Sequence, residues 1–422
     1  MIITFVLDMF GSSNNGTTVT CMRTARVLKE HGHEVRIIAY IPKEHDDLSM
    51  YKVLPCDRFV VPFFDKLILD NGMVIAKADY NQIADFIKGS DIVHLMLPFH
   101  LETQVRRVAT ILGIPVTSAF HVQPENVSYN LHMGKIQPLN SLIYHLFLKW
   151  MYRFTRFIHT PSQMMKEQMI KHHYKNDIYA ISNGVSPRFK PLYVGKPDEL
   201  KDKYVILMIG RYSGEKRQDL IFKAIGKSKY NSKIQLVLCG QGPLLKRYQK
   251  LSKKYLVNPC KFGFMSQEEL ARVINYADLY IHASDAESEA ISCIEAFSCG
   301  LVPIISDSKV SATNNFALDK RCLFKAGNYK SLKTQIEYFY EHPEIKNELS
   351  GKYIEYGKTF ALDKCVAKLE EMFLKEIEVH KEEEKNHTCY YSTRGERRQL
   401  KKIAKIINAD ESHIYKSKKR SR

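Results

Sequence analysis

Two glutamates, Glu287 and Glu295, stand eight positions apart in the stretch SDAESEAISCIEAFSCGLVPIIS, residues 284 to 306. On a single helix that spacing leaves them about 80° apart around the axis and about 12 Å apart along it. Such a pair cannot chelate one atom, but it can grip two ends of an elongated ligand, such as the sugar and the ribose of a nucleotide sugar. A structural alternative stands beside this, with Glu287 as a partner of the helix N-terminus and Glu295 as an exposed face residue. Arg211 and Lys216, in MIGRYSGEKRQDL, flank a short loop from which both cations can reach one anion. A diphosphate has the charge and span to use both. The segment is no Walker loop, because Gly-Lys-Ser/Thr does not occur, and basic residues after a strand also serve as surface decoration. His121, in PVTSAFHVQPEN, follows an apolar strand and precedes a polar turn. It suits either a structural role or a place in the crevice beyond a strand end.

Two further stretches carry weaker signals. Asn15-Gly16 in FGSSNNGTTVT forms a tight turn at a helix start, so backbone N–H groups there face whatever lies above the sheet edge. It lacks the Gly-x-Gly-x-x-Gly of a dinucleotide fingerprint and also reads as a plain strand–helix turn. The segment PLNSLIYHLFLKWMYRFTRFIHT interleaves aromatics with Lys149, Trp150, Arg153 and Arg156. That mixture fits a bilayer interface or a core helix of its own domain. Asp-x-Asp, the pair that most often carries Mg²⁺ or Mn²⁺ in metal-dependent sugar transfer, is missing. If sugar transfer is the chemistry, Arg, Lys and backbone dipoles must meet the phosphate charge, and no metal or other cofactor is expected.

Something must position these residues, and the chain supplies a repeating frame. Short β-branched runs alternate with helical patterns, which argues for parallel sheets covered by helices. The strand candidates are IITFVLD, EVRIIAY, DIVHLML, PVTSAF, RFIHT and DIYAIS, then KYVILMIGRY, KIQLVLCGQGP, CKFGFM, ADLYIHAS and LVPIIS. They predict two Rossmann-like domains, residues 1–185 and 186–350, joined at ISNGVSPRFKPLYVGKPDEL, where Asn, Gly and Pro interrupt the periodicity. Helices over 351–375 are expected to pack back toward the first domain, and a charged basic tail over 376–422 to follow. Within that tail RRQLKKIAKIINA places Leu400, Ile403, Ile406 and Ile407 on one stripe, fit either to dock on its own protein or to lie on a membrane.

Bulk properties narrow the classes. The 422 residues carry 63 Lys and Arg against 46 Asp and Glu, a formal charge of +17, which favours anionic partners: nucleotides, an anionic membrane face or nucleic acid. From Lys381 to Arg422 there are thirteen basic and six acidic residues, so much of the excess is terminal. No uncharged apolar run reaches the roughly 18–20 residues of a membrane-spanning helix. The opening MIITFVLDMFGSSNNG reads as a strand and turn rather than a leader. Nine cysteines with no Cys-x-x-Cys fit reduced core residues of a cytosolic protein.

Taken in order, the Asn15-Gly16 turn, SAFHVQPEN, NGVSPRFKP, GRYSGEKRQD, CGQGP and the Glu-x7-Glu stretch resemble the retaining glycosyltransferases of family 4. The resemblance covers roughly residues 1 to 370. It implies an α/β fold of GT-B type, with two Rossmann-like domains facing a central cleft. It further implies that Arg211 and Lys216 bind the donor diphosphate, that Glu287 holds hydroxyls of the transferred sugar, and that Glu295 binds the ribose. Gly16 would let the first domain's loop approach the donor, His121 would lie by the sugar, and Gly263 to Met265 would meet the base. Gly240, Phe264, Ser288, Ala290 and Ile291 complete the expected donor site. One departure concerns the sugar: the family's Glu-Gly-Phe-Gly is here Glu287-Ser288-Glu289-Ala290.

The segment FHVQPENVSY resembles bacterial lipid glycosyltransferases that glucosylate diacylglycerol, with ceramide-type acceptors a close alternative. The expectation is transfer of an α-linked hexose from UDP-glucose or UDP-galactose to a lipid hydroxyl, by a cytoplasmic protein peripheral on the inner membrane face. Lys149, Trp150, Arg153 and Arg156 would serve the acceptor or the membrane. The alternatives are transfer to a cell-surface polysaccharide precursor and, from another class, a basic nucleic-acid-binding protein.

Overall fold

The computed structural model describes residues 1–11, 16–62, 65–70, 74–130 and 137–417. Asn15, with most of the first turn, and residues 418–422 of the basic end lie outside them. Two compact units share the chain: Met1–Pro124, Ile136–Asn183 and Cys365–Arg422 make the first, Glu125–Lys135 and Gly184–Lys364 the second.

The first unit is built on a sheet of β1 (Ile2–Met9), β2 (Glu34–Tyr40), β3 (Lys52–Pro55), β4 (Ile92–Leu95), β5 (Val116–Ala119), β6 (Phe157–Thr160) and β7 (Asp177–Ala180). Their order is 3-2-1-4-5-6-7 and every pair is parallel. The chain reverses direction across the sheet between β1 and β4, so their carboxyl ends frame a crevice. Both faces of these strands carry helices, which is why β4, β5 and β6 are buried throughout. The edge strand β3 escapes the periodicity argument because KVLP is only half apolar and ends in proline.

A second parallel sheet repeats the pattern in the other unit. Its strands are β8 (Tyr204–Ile209), β9 (Ile234–Cys239), β10 (Lys261–Gly263), β11 (Leu279–His282), β12 (Pro303–Ser306) and β13 (Leu323–Phe324), in the order 10-9-8-11-12-13. The aliphatic strands and the helices Gln218–Gly226 and Ile291–Ser298 close one continuous core. Two distant pieces of chain meet at this unit's boundary: Val185 donates to Phe360 at 2.8 Å and accepts from Leu362 at 3.0 Å. Gly184 has φ +75, and a Cβ there would come within 2.6 Å of the Leu362 Cα, so the glycine of the linker is required by this close approach. The chain passes back to the first unit at Cys365, within the helix Leu362–Lys385, so residues 351–364 stay with the second unit.

The described part of the basic end is folded. Helix Arg394–Ile406 packs on helix His100–Ile111 of the first unit, with Leu400 and Ile403 buried and Ile406 half exposed. The apolar stripe is therefore used within the protein. At its start Thr393 caps the helix by accepting the Glu396 N–H at 3.1 Å. Glu396 is itself buried between Arg106, which donates to Oε1, and Arg107, which donates at 2.9 and 3.1 Å. Arg156, expected at a membrane or acceptor, instead pairs with Glu383 and stacks on Tyr390 with its carbon 5.1 Å from the ring centre. Arg153 donates to the Tyr391 hydroxyl and lies 4.5 Å over that ring. Among the described residues no helix is long and apolar enough to cross a membrane.

Burial works against the Glu396 charge, yet the two arginines hold its pKa down at about 2 against an ordinary 4.5. A depressed carboxylate stabilises the fold fully above its unfolded pKa and loses that contribution as pH falls toward the folded value. Glu396→Ala strands Arg106 in the interior and is expected to cost about 3–5 kcal/mol. Thermal unfolding at neutral pH reads this, and the loss of stability between pH 5 and about 2 should be shallower in the variant. An unchanged melting temperature would show that the bracket is dispensable.

Candidate functional site

The carboxyl ends of β8, β9, β10 and β11 all open on one edge of the second unit's sheet, and short backbone bonds lock the loops that follow them. Gly210 donates to Cys239 at 2.9 Å, Tyr212 to Gln241 at 2.9 Å, and Gly240 to Gly263 at 2.7 Å. Gly240 is required by this packing, since a Cβ there would sit 2.1 Å from the Gly210 carbonyl oxygen. Tyr248 donates to Gln218 at 2.9 Å, and Gln218 in turn donates to the Arg211 carbonyl at 2.9 Å. The Arg211 backbone is thus fixed while its side chain is exposed. Among the described residues no carboxylate pairs with it.

Lys216 closes the single turn Gly214–Lys216, and Arg217 follows in the left-handed region at φ 53, ψ 33. That turn is tied to the segment after β11, because Arg217 pairs with Asp285 at 2.9 Å and Asp285 donates to the Glu215 carbonyl at 2.7 Å. Glu287 comes next, and here the helical spacing fails. It lies in the two-residue strand Ala286–Glu287, paired parallel with Val310–Ser311. The helix begins only at Ile291, after Ala290 turns through the left-handed region at φ 65, ψ 68. The 80° separation on a common helix is therefore wrong, and so is the exposed role for Glu295, which is buried within helix Ile291–Ser298.

Glu287 Oε1 accepts both the Lys216 ammonium and, at 3.1 Å, His282 Nε2. Burial alone would neutralise this carboxyl, but Lys216 and His282 outweigh it and hold Glu287 well below the usual carboxylate range. His282 is wholly buried, with its other nitrogen 3.2 Å from the Tyr280 hydroxyl. Tyr280 bonds Ser292 at 3.1 Å, at the start of helix Ile291–Ser298. A hydrogen-bonded chain thus runs from the helix N-terminus through Tyr280 and His282 to Glu287 and Lys216. Sequence reasoning missed His282, although it stands at a strand end as His121 does. Ser288, Ala290 and Ile291 are half-buried at that helix N-terminus, where backbone N–H groups lack helical partners. Phe264 projects to solvent, and Met265 turns inward with its sulfur 3.2 Å from that of Cys239.

The first unit places its two candidates at carboxyl strand ends. Gly16 opens helix Gly16–Glu30 after β1, with open space where a Cβ would stand. His121 follows β5 and meets His159 edge-on at 5.2 Å. Its Nε2 is buried without a hydrogen-bond partner. Burial first, and then His159, hold its pKa well below 6.5, so the ring is a neutral imidazole near pH 7. Lys149 and Trp150 are exposed at the end of helix Gln137–Trp150.

Residues 14–189 match the Glycosyltransferase Family 4 model and residues 190–360 the Glycosyl transferases group 1 model. The chain is a glycosyltransferase of GT-B architecture, built from these two domains. It is 26% identical over 321 residues to the GDP-mannose-dependent alpha-mannosyltransferase of Corynebacterium glutamicum, covering 72% of each. It is 24% identical over 379 residues to the Alpha-monoglucosyldiacylglycerol synthase of Acholeplasma laidlawii, covering 85% of this chain and 93% of that one. Among solved structures, Sucrose-phosphate synthase from Thermosynechococcus elongatus shares the fold at a TM-score of 0.68 and 14% identity, over 90% of this chain and 99% of that chain.

His282→Ala removes one of two groups that offset the burial of Glu287 and leaves the Tyr280 hydroxyl short of a partner. The expected cost is about 1–3 kcal/mol in urea unfolding. Wild-type stability in that variant would mean that the buried chain carries no load.

Proposed function

We propose that the protein is a retaining transferase that moves an α-linked hexose from a UDP-sugar to a membrane lipid hydroxyl, diacylglycerol or ceramide, on the cytoplasmic membrane face. The observation that carries this reading is the ionised Glu287, held between Lys216 and His282 on the same sheet edge as the exposed Arg211. Sugar hydroxyls need a fixed acceptor and a diphosphate needs fixed cations, and this edge offers both. Arg211, Lys216 and the N–H groups at Ile291 meet the diphosphate, Glu287 takes sugar hydroxyls, and Glu295 serves the ribose. Gly263 to Met265 borders the base.

In the reaction, the bond from the anomeric carbon to the diphosphate oxygen breaks as the acceptor oxygen bonds that carbon on the same face. The acceptor proton passes to the departing phosphate oxygen, so no side chain acts as nucleophile. Phosphate charge is assigned to side chains and backbone dipoles, with no metal step. The lipid acceptor is supported by the similarity to a monoglucosyldiacylglycerol synthase. The similarity to a GDP-mannose-dependent enzyme makes the donor the first thing to test.

Purified protein should release UDP from UDP-glucose or UDP-galactose when vesicles supply diacylglycerol or ceramide, with the glycolipid seen by mass spectrometry. GDP-mannose belongs in the same panel. Lys216→Ala and Glu287→Gln should each reduce transfer by roughly 100-fold or more, the range that loss of a transition-state contact produces, with unfolding curves showing that the variants are folded. Wild-type rates in both variants would remove the proposed donor site. Turnover of GDP-mannose alone, or of soluble acceptors alone, would contradict the proposed substrates.

A further inference from the structure

We propose that a cavity on the first unit, walled by helix Gln137–Trp150, the loop after Lys171 and the folded C-terminal segment, is a binding site for the phosphate headgroup of an anionic phospholipid. The inference rests on the membrane reading above only in that both need a bilayer. The cavity has a volume of about 260 Å³. It is lined by His145, Lys149, Arg153, His173, Lys175 and Tyr391, and no described lining residue is acidic. Among the described residues no carboxylate pairs with Lys149, Lys175, His145 or His173. The nearest partner of Arg153 is a neutral tyrosine hydroxyl. Like charges gathered without a counter-charge repel, so the arrangement is stabilised by an anion that enters it.

The walls are held by packing rather than by the cations themselves. Tyr144, buried on the inner face of the helix, stacks on His172 at 4.1 Å and accepts at its carbonyl from the Tyr174 hydroxyl at 2.7 Å. Residues 172 and 174 are thereby drawn inward. His173, in the left-handed region at φ 66, and Lys175 are left exposed, and both line the cavity. Asn176 anchors the loop on the carbonyls of Tyr152 and Thr155 at 2.8 and 2.6 Å. The C-terminal segment closes the third side, with Tyr390 donating to the Lys175 carbonyl at 3.1 Å and Tyr391 under Arg153. The site thus depends on residues that follow the matched glycosyltransferase domains, which end at 360.

A lipid rather than a soluble anion is favoured by what surrounds the charge. On helix Gln137–Trp150 the side chains of Tyr144 and Phe147 point inward with neighbouring Met151, while Leu142, His145, Lys149 and Trp150 face out. At about 100° per residue those four span an arc of about 140°. Leu142 is 52% exposed and Trp150 54%. Large apolar side chains beside a cationic cavity suit the region where headgroups meet acyl chains, and tryptophan favours that depth.

The test uses the full chain in flotation assays with phosphatidylcholine vesicles, with or without roughly a third phosphatidylglycerol. Binding should require phosphatidylglycerol. The double variant Lys149→Ala/Lys175→Ala should weaken it by about tenfold or more, whereas Lys246→Ala/Lys250→Ala, which removes equal charge from the second unit, should not. Trp150→Ala should weaken it without changing charge. Equal loss in both double variants would overturn the site in favour of diffuse attraction. Saturable binding of glycerol phosphate in solution, with Trp150→Ala without effect on vesicles, would overturn the lipid in favour of a soluble anion. Donor titration of the same proteins separates the two proposals: lost vesicle binding with intact UDP-sugar binding supports the headgroup site. Failure of the wild type to bind any nucleotide sugar would sink the donor reading and leave the vesicle result standing.

Discussion

A carboxylate that keeps its charge inside a protein needs partners, and the second unit is arranged around one such group. Glu287 is 7% exposed, and one of its oxygens accepts from both Lys216 and His282. Removing a charge from water costs several kcal/mol, and the cost is met only by well-placed opposite charge and hydrogen bonds. Lys216 comes from the loop after β8 and His282 from the end of β11, so the pairing fixes two strand ends against each other. The Arg217–Asp285 pair adds a second tie between the same two segments. What results is a fixed carboxylate with Lys216 held against it and the exposed Arg211 on the same edge, an arrangement a polar, doubly charged ligand can read.

Close backbone approach makes this geometry possible. Gly240 lets the β9 loop lie on the β8 loop, and Gly184 lets the linker lie on the first residue of helix Leu362–Lys385. Ala290 occupies a left-handed conformation that costs a non-glycine residue about 1–2 kcal/mol. Its position directly before the helix N-terminus aims that terminus at the sheet edge. In the first unit the same principle takes another form, because His121 is kept neutral by burial and by its neighbour His159.

Much of this frame was legible in the sequence because parallel strands buried on both faces leave unbroken apolar runs. Nine such runs became strands, the edge strands Asp177–Ala180 and Lys261–Gly263 were legible although partly exposed, and Lys52–Pro55 and Leu323–Phe324 were too short or too polar to stand out. The residues at the sheet edge were also recoverable, since Arg211, Lys216 and Glu287 follow apolar runs directly. Their mutual geometry was not. The left-handed turn at Ala290 breaks the helix that the Glu-x7-Glu spacing suggests, and His282 is hidden inside a strand motif. The C-terminal segment was legible only in part. Its apolar stripe suits docking on its own protein as well as a membrane, and what the sequence hides is that Glu396 pairs with Arg106, 290 residues away, and Arg156 with Glu383. No local pattern announces pairings of that range.

The proposed donor site lies at the carboxyl edge of the second sheet. A crystal structure of the protein with UDP-glucose, or with the donor that turnover selects, tests this most directly. The diphosphate is expected within hydrogen-bonding distance of Arg211 and Lys216, with a sugar hydroxyl on Glu287. Density for the donor away from this edge, or a diphosphate that touches neither cation, would contradict it.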